Sequence, residues 1–374
     1  MSDDVFIAGV GATRFGRRPD DSESLMALEA VRAALHDAGV ERAAIDAVFV
    51  GNVFGDPGLG QAIARDVGLA GLPVVNVENA CASGTSALLE AAAWIRAGMA
   101  ESVLVLGVEK LSGRFDGLIA LPSSTYIDQG LTLPAIYALH ARRHMEEYGL
   151  AAADLAAVTV KARRLGAHNP LASYQDAVSA EEVLAAPLIA DPLTRLMCCP
   201  NADGAAAAIV TGARPAAAGR PIRLLGSALA SGRHRDRLAP GTSVVGEVAR
   251  RAYEAAGVGP QDVDVAEVHD AFVIGEILAY ERLGFCEPGQ GGGYVARAYP
   301  HGDDTAVNTS GGLMSRGHPP GATGIAQVYE VVRQLRDHAG PAQVQDADVG
   351  LTLTMGGTVT ELETNACVVH VFGT

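Results

Sequence analysis

The chain has 374 residues, 49% of them hydrophobic and only 5% aromatic, with 43 acidic against 28 basic residues for a net charge of −15. That is enough apolar material for a large core and more than one structural unit. A protein this acidic, without any block of Lys or Arg, is not expected to bind nucleic acid, and its apolar runs are broken by Arg, Glu or Gly well before membrane-spanning length.

Met1 to Asp4 leads straight into a predicted strand, Phe6–Val10, with no charged segment followed by a long apolar one, so no secretory signal is expected. Residues 30–50, AVRAALHDAGVERAAIDAVFV, form an amphipathic helix closed by Ala-Gly-Val, a polar turn, an Asp and a short strand. Gly39 suits the left-handed residue after a helix end. Next come a small-residue turn and helix at 80–98, ACASGTSALLEAAAWIRAG, and a strand at Val103–Val108. After a long connection, about 110–204, another strand follows at Ala206–Val210.

The pattern then repeats. Strand Ile222–Leu229 precedes VARRAYEAAGVGPQDVDVAEV (248–268), which carries Gly257 where the first copy has Gly39. HPPGATGIAQVYEVVRQLR (318–336) corresponds to 80–98, and strands Val349–Thr354 and Ala366–Phe372 close the copy with a connection of roughly ten residues. A hundred-residue connection against ten marks a functional insertion. The expectation is an α/β protein of two halves, 1–225 and 226–374, with a cap subdomain at about 110–204 in the first half. Pairing of the halves would bring the helix starts near Cys81 and His318 to one cleft.

The five cysteines (81, 198, 199, 286 and 367) are odd in number, dispersed and without a CxxC pair. This suits a reducing cytoplasm and argues against a disulfide framework or a zinc site. His140 and His144, an i,i+4 pair with no third ligand candidate nearby, are expected on a helix surface, so no metal site is expected. The C-terminal Phe-Gly-Thr is not a peroxisomal address.

Three segments carry chemistry. In Val74-Val-Asn-Val-Glu-Asn-Ala-Cys-Ala-Ser-Gly a strand turns into a helix at Cys81. A thiol there feels the positive end of the helix dipole, which lowers its pKa, and N–H groups at the turn could hold an oxyanion. A buried structural cysteine is the alternative for Cys81 taken alone. In Glu267-Val-His-Asp-Ala-Phe, His269 sits at the C-terminal end of a strand, where ligand-binding residues of α/β sheets collect, and Asp270 is expected to cap the helix 271–283. For His269 taken alone, a satisfied structural histidine is the favoured reading. In Asn308-Thr-Ser-Gly-Gly-Leu-Met-Ser-Arg-Gly-His-Pro-Pro-Gly-Ala-Thr-Gly, His318 is placed to be a general base or oxyanion donor, with glycines that permit close approach by a ligand.

Ala-Cys-Ala-Ser-Gly, His-Asp-Ala-Phe and Asn-x-x-Gly-Gly-x5-Gly-His-Pro-x-Gly-Ala-Thr-Gly, in this order, resemble the thiolase superfamily. Within it the chain is most similar to the sterol-carrier-protein-type and archaeal acetyl-CoA acetyltransferase-like thiolases, whose second motif begins with His. The resemblance spans essentially the whole chain, Asn201-Ala-Asp-Gly-Ala-Ala-Ala included. It implies the five-layered thiolase fold, a dimer or tetramer, and acyl-CoA and CoA as substrates with no covalently bound cofactor. It also implies that Cys81 is the acylated nucleophile, that His318 activates it and binds the second thioester oxygen, and that His269 shares that second role. The N–H groups of Cys81 and Gly356 would form the oxyanion hole, and Cys199 would lie near the pantetheine of the coenzyme.

The match has one gap. Thiolases that make carbon–carbon bonds use a second cysteine as acid–base, either in Cys-x-Gly-Gly or in His-Asp-Cys-Phe, and here those positions hold Thr354 and Ala271. A threonine hydroxyl is too weak an acid to serve at neutral pH, and Cys286 has no evident place in the site. The leading reading is an acyltransferase that forms acyl-Cys81 and passes the acyl group on, in the Claisen or the thiolytic direction. The alternatives are a thiolase-like retro-aldolase, or an acyl-CoA-binding subunit acting with a small OB-fold partner protein.

Overall fold

The computed structural model of the protein describes residues 4–374 except 116, 118, 120–129, 215–219, 234–242, 300, 301, 303 and 358–363. The first half runs β1 (Phe6–Ala12), α1 (Glu23–Ala38), β2 (Ala47–Gly51), α2 (Leu59–Asp66), β3 (Val74–Val77), α3 (Ser83–Arg96) and β4 (Ser102–Glu109). The long connection holds α4 (Leu133–Tyr148), α5 (Ala152–Gly166), α6 (Ala180–Ala185) and the hairpin β5 (Leu188–Ala190) and β6 (Leu193–Thr194). It returns as β7 (Gly204–Thr211) and leads to β8 (Ile222–Ala230). The remainder is α7 (Val244–Ala256), β9 (Val265–Glu267), α8 (Val273–Arg282), α9 (Gly291–Tyr294), β10 (Ala306–Val307), α10 (Gly312–Arg316), α11 (Pro320–Leu335), β11 (Val349–Gly356) and β12 (Ala366–Gly373).

Ten strands share one sheet in the order β10-β9-β11-β12-β8-β1-β7-β4-β2-β3. Read outward from the centre, β1-β7-β4-β2-β3 mirrors β8-β12-β11-β9-β10, the repetition seen in the sequence. The two wings join at the centre, where Phe6 and Ile7 pair with Arg223 and Ile222. Helix α11 packs on β4 and β7 of one wing and on β11 and β9 of the other, beside α3. The outer helices α1 and α7 cover the far faces of their own wings. The five layers αβαβα are therefore present, with α3 and α11 in the middle.

Local sequence accounts for the outer helices. Ser22 caps α1 by accepting the Leu25 N–H at 3.1 Å, and Gly39 ends the helix in the left-handed region at φ 64°. Gly257 ends α7 in the same way at φ 71°. The middle helix obeys a different rule. Fourteen of the sixteen residues of α11 are buried, so it has no polar face, and its buried polar groups are matched within the protein. Gln327 accepts from Thr354 at 2.8 Å, and Glu330 accepts from Asn169 at 2.8 Å.

Small residues set how close α3 and α11 come. A β-carbon on Gly84 would stand 2.9 Å from the Gly321 carbonyl oxygen, and one on Gly324 would stand 2.7 Å from the Thr85 side chain. One on Gly321 would meet Val108 O, Gly51 O and Asn52 Cα within 2.8 Å. These glycines admit a neighbouring helix and strand, where the sequence suggested a ligand. Among the described residues no helix is long and apolar enough to cross a membrane.

Candidate active site

The strand-to-helix turn at Cys81 is held by short local bonds. Ala80 lies in the left-handed region at φ 49°, a conformation that an alanine adopts only under constraint. The constraint is visible: the Ala80 N–H donates to Glu78 Oε1 at 2.7 Å, and the Ser83 hydroxyl donates to Ala80 O at 2.5 Å. The Asn79 N–H donates to Ser83 Oγ at 2.9 Å. Cys81 is thereby set at the mouth of α3, half-buried, one residue before the Ala82 cap.

Opposite it, Pro320 at the first turn of α11 fixes the chain so that His318 precedes the helix. The His318 Nε2 atom is 3.2 Å from Cys81 Sγ, and Nδ1 is 2.7 Å from Thr323 Oγ1. Thr323 bears on the tautomer. Its hydroxyl lies 3.0 Å from Pro319 O, and with its single proton given there it accepts from His318. The proton of the neutral ring is then on Nδ1, and Nε2 presents a lone pair to the thiol. This is the arrangement of a general base.

His269 completes the group, its ring edge-on to His318 with centroids 5.2 Å apart. Its Nδ1 is buried without a hydrogen-bond partner. Asp270 does not cap its own helix. Its carboxylate accepts the N–H groups of Leu313 at 2.7 Å and Met314 at 3.3 Å, the first turn of α10. The expected helix 271–283 is α8, Val273–Arg282, capped by Phe272 without a side-chain bond. Asp270 so ties the loop bearing His269 to the segment leading into His318.

The electrostatics correct one expectation. Burial pushes the Cys81 thiol up to about 12, with the Glu109 and Glu78 charges adding to the rise, although the N–H groups of Gly357 and of Cys81 itself act against it. Helix position alone does not make a resting thiolate here, because desolvation outweighs the dipole. Burial lowers His269 to about 4. Burial, then the neighbouring His269 and Arg316, hold His318 well below its usual value. The resting pair is neutral thiol and neutral imidazole, so proton transfer must accompany attack.

The other sequence candidates fall as follows. The N–H that reaches the Cys81 sulfur from the β11 side is that of Gly357, one residue past Gly356. Gly356 contributes by lacking a side chain, since a β-carbon there would collide with Asn79 O. Thr354 is fully buried and donates its hydroxyl to Gln327 Oε1, away from the thiol. Cys286 faces Glu281 and Arg297, outside the Cys81 group. His144, expected on a surface, is buried 2.8 Å from Glu281. Cys199 is held beside the site by its N–H, which donates to Ala271 O at 2.9 Å.

Two contributors escape sequence reasoning. Thr323 looks like an ordinary helix residue, and only its place five residues after His318 hints at a role. Glu109 ends an apolar strand, and that buried carboxylate is the available signal. It accepts from the N–H groups of Val53, Phe54 and Gly321 at 3.0–3.1 Å and so pins the start of α11 to β4. Burial lifts it to about 7 despite these donors. The ligand-type atoms of Cys81, His269 and His318 all lie within 4.8 Å of one another, close enough to chelate a thiophilic cation as well.

Sequence profiles match at the family level. The profile for the thiolase N-terminal domain matches residues 5–214, and that for the thiolase C-terminal domain-like region matches residues 226–369. An acetyl-CoA acetyltransferase of Methanothermobacter thermautotrophicus is 40% identical over 388 aligned positions, covering 99% of each chain. Human sterol carrier protein 2 is 38% identical over 95% of this chain and 70% of its own length. Among solved structures, the Ltp2-ChsH2(DUF35) aldolase superposes with a TM-score of 0.85 at 27% identity, covering 99% of this chain and 98% of that one.

Proposed function

This chain belongs to the thiolase family and is an acyltransferase acting on coenzyme A thioesters, and we propose that Cys81 carries the acyl group while His318 removes its proton. The observation that carries the reading is the 3.2 Å contact between the His318 Nε2 lone pair and the Cys81 thiol. As Cys81 Sγ attacks the thioester carbon, its proton passes to Nε2, and Nδ1–H stays on Thr323. The carbonyl oxygen gathers negative charge, and the backbone N–H groups of Cys81 and of the Gly356–Gly357 turn answer it. The C–S bond to the coenzyme then breaks and the coenzyme leaves as its thiol, taking the proton back from Nε2. His269, neutral at physiological pH, would hold the thioester oxygen of the second substrate, and His318 would join it only while its Nε2 carries the proton taken from Cys81.

In the same reading the halves 1–225 and 226–374 build the two sides of the cleft, and the segment 110–204 with Cys199 covers the pantetheine arm. The protein works in the cytoplasm as a homodimer or tetramer. The aldolase it resembles is named together with a DUF35 component, which favours a second reading: retro-aldol cleavage of an acyl-CoA, or acyl-CoA binding, in company with an OB-fold partner.

Mass analysis after incubation with short- and medium-chain acyl-CoAs tests both. A stoichiometric adduct on Cys81, absent in Cys81→Ala and slowed in His318→Gln, is expected. No adduct with any acyl-CoA would sink the acyl-enzyme, and cleavage of a β-hydroxyacyl-CoA that survives Cys81→Ala would favour the aldolase.

A further inference from the structure

Forming a carbon–carbon bond onto acyl-Cys81 requires a base for the α-proton of the incoming acyl-CoA. Position 271 is alanine, and the Thr354 hydroxyl is committed to Gln327. We infer that Cys199 supplies this second acid–base from a different segment of the chain, an inference that rests on the acyl-Cys81 reading.

The geometry brings Cys199 to the reacting groups by way of its own backbone. Residues 198–201 are laced to both histidine-bearing loops. Cys198 forms an antiparallel bridge with Phe272, the Cys199 N–H donates to Ala271 O at 2.9 Å, and the His318 N–H donates to Pro200 O at 3.1 Å. Asn201 pairs with His318 itself. The segment therefore lies between His269-Asp270-Ala271 and His318, beside the position where relatives of this type carry their second cysteine.

Direction follows from the extended backbone. Cys198 has φ −119° and ψ 137°, so successive side chains point to opposite sides. The Cys198 thiol is turned toward Thr194 O, 3.4 Å away. Cys199 is thus on the opposite side. There its thiol is within electrostatic reach of both Cys81 and Asp270, and Tyr137 feels the charges of Cys81 and Cys199 together. His269, whose Nδ1 is buried without a partner, belongs to the group formed with Cys81 and His318. Burial raises the Cys199 thiol well above its usual value, with the Asp270, Cys198 and Cys81 charges adding to it. A thiolate formed in such a place is a strong base.

The protons balance. The coenzyme released in the acylation step takes the Cys199 proton in place of the one on His318, leaving a Cys199 thiolate beside a His318 imidazolium. The thiolate removes the α-proton of the second acyl-CoA. The resulting carbanion forms the C–C bond to the acyl carbon while the bond to Cys81 Sγ breaks, and the imidazolium returns a proton to the departing Cys81 thiolate. All three groups end neutral. In the thiolytic direction the same steps reverse.

The test separates the two half-reactions in Cys199→Ser and Cys199→Ala, with Cys198→Ser as control. Acetyl-CoA is the probe, read by the mass of the Cys81 adduct and by deuterium entering the acetyl group in D2O. Both Cys199 variants are expected to reach a full Cys81 adduct, the coenzyme then taking its proton from His318 Nε2, while α-exchange and acetoacetyl-CoA formation fall at least about 100-fold. Cys198→Ser should keep both. Wild-type exchange rates in Cys199→Ser, loss of the Cys81 adduct along with exchange, or a wild type that acylates without exchanging would each overturn the assignment. A wild type that forms no adduct would instead strike the acyl-Cys81 reading beneath it.

Discussion

Replacing Thr323 by valine keeps the shape of the side chain and deletes one hydroxyl. In the folded protein that hydroxyl accepts Nδ1–H of His318 at 2.7 Å and donates to Pro319 O at 3.0 Å, both within a fully buried first turn of α11. The bond to a neutral ring contributes about 1 kcal/mol, and to an imidazolium about 2–3 kcal/mol. Since the ring becomes charged only as Cys81 attacks, the difference of about 1–2 kcal/mol falls on the transition state. At about 1.4 kcal/mol per tenfold, Thr323→Val should slow acylation of Cys81 by about 5- to 30-fold. It should also lower folding stability by about 1–3 kcal/mol through the unsatisfied buried groups. Rapid-quench mass spectrometry of the acyl adduct reads the first effect and denaturant titration the second. Thr323→Ser, which keeps the hydroxyl, should acylate near the wild-type rate. A Thr323→Val protein that acylates within twofold of wild type, or a serine variant as slow as the valine one, would refute the tautomer argument.

The base should also be insensitive to mild acid. Because burial keeps His269 near 4 and His318 well below its usual value, Nε2 stays unprotonated, and the acylation rate should hold as pH falls from about 7 to about 5.5. An acid limb with an apparent pKa near 6.5 in single-turnover measurements would contradict this. Gly321→Ala should destabilise the fold by about 1–3 kcal/mol or more, since the added carbon meets three backbone groups of β2, its exit loop and β4 rather than a movable side chain. An unchanged denaturation midpoint would show that the middle layer is looser than its packing implies.

Much of the fold is legible from periodicity and punctuation. The outer helices announce themselves by Gly39 and Gly257 and by the amphipathic pattern that a surface helix requires. The repeat of strand, helix and strand is visible because both halves solve the same packing problem. The middle layer is harder, for α11 is buried almost all round although it carries Thr323, Gln327, Glu330 and Gln334. Its glycines suggest a ligand until α3 and β4 are seen against them. Asp270 reads as a local cap, but its carboxylate reaches α10, forty residues further along the chain. Local sequence cannot say which of two nearby helix starts a short acid will serve.

The residues of the site divide in the same way. The reactive types and their order are legible in the chain: a cysteine at a strand-to-helix turn, a histidine before an aspartate, and a histidine before Pro-Pro-Gly. Those are chemical identities and local turns, fixed within a few residues. The protonation of the pair depends on packing, because Thr323 stands against Nδ1 of His318 and burial disfavours both charged forms. Burial also reversed the expected effect of the helix dipole on Cys81. It was folding, too, that brought Cys199 beside Ala271 from seventy residues away. Solvation and distance across the cleft belong to the packed molecule, and no short stretch of sequence contains them.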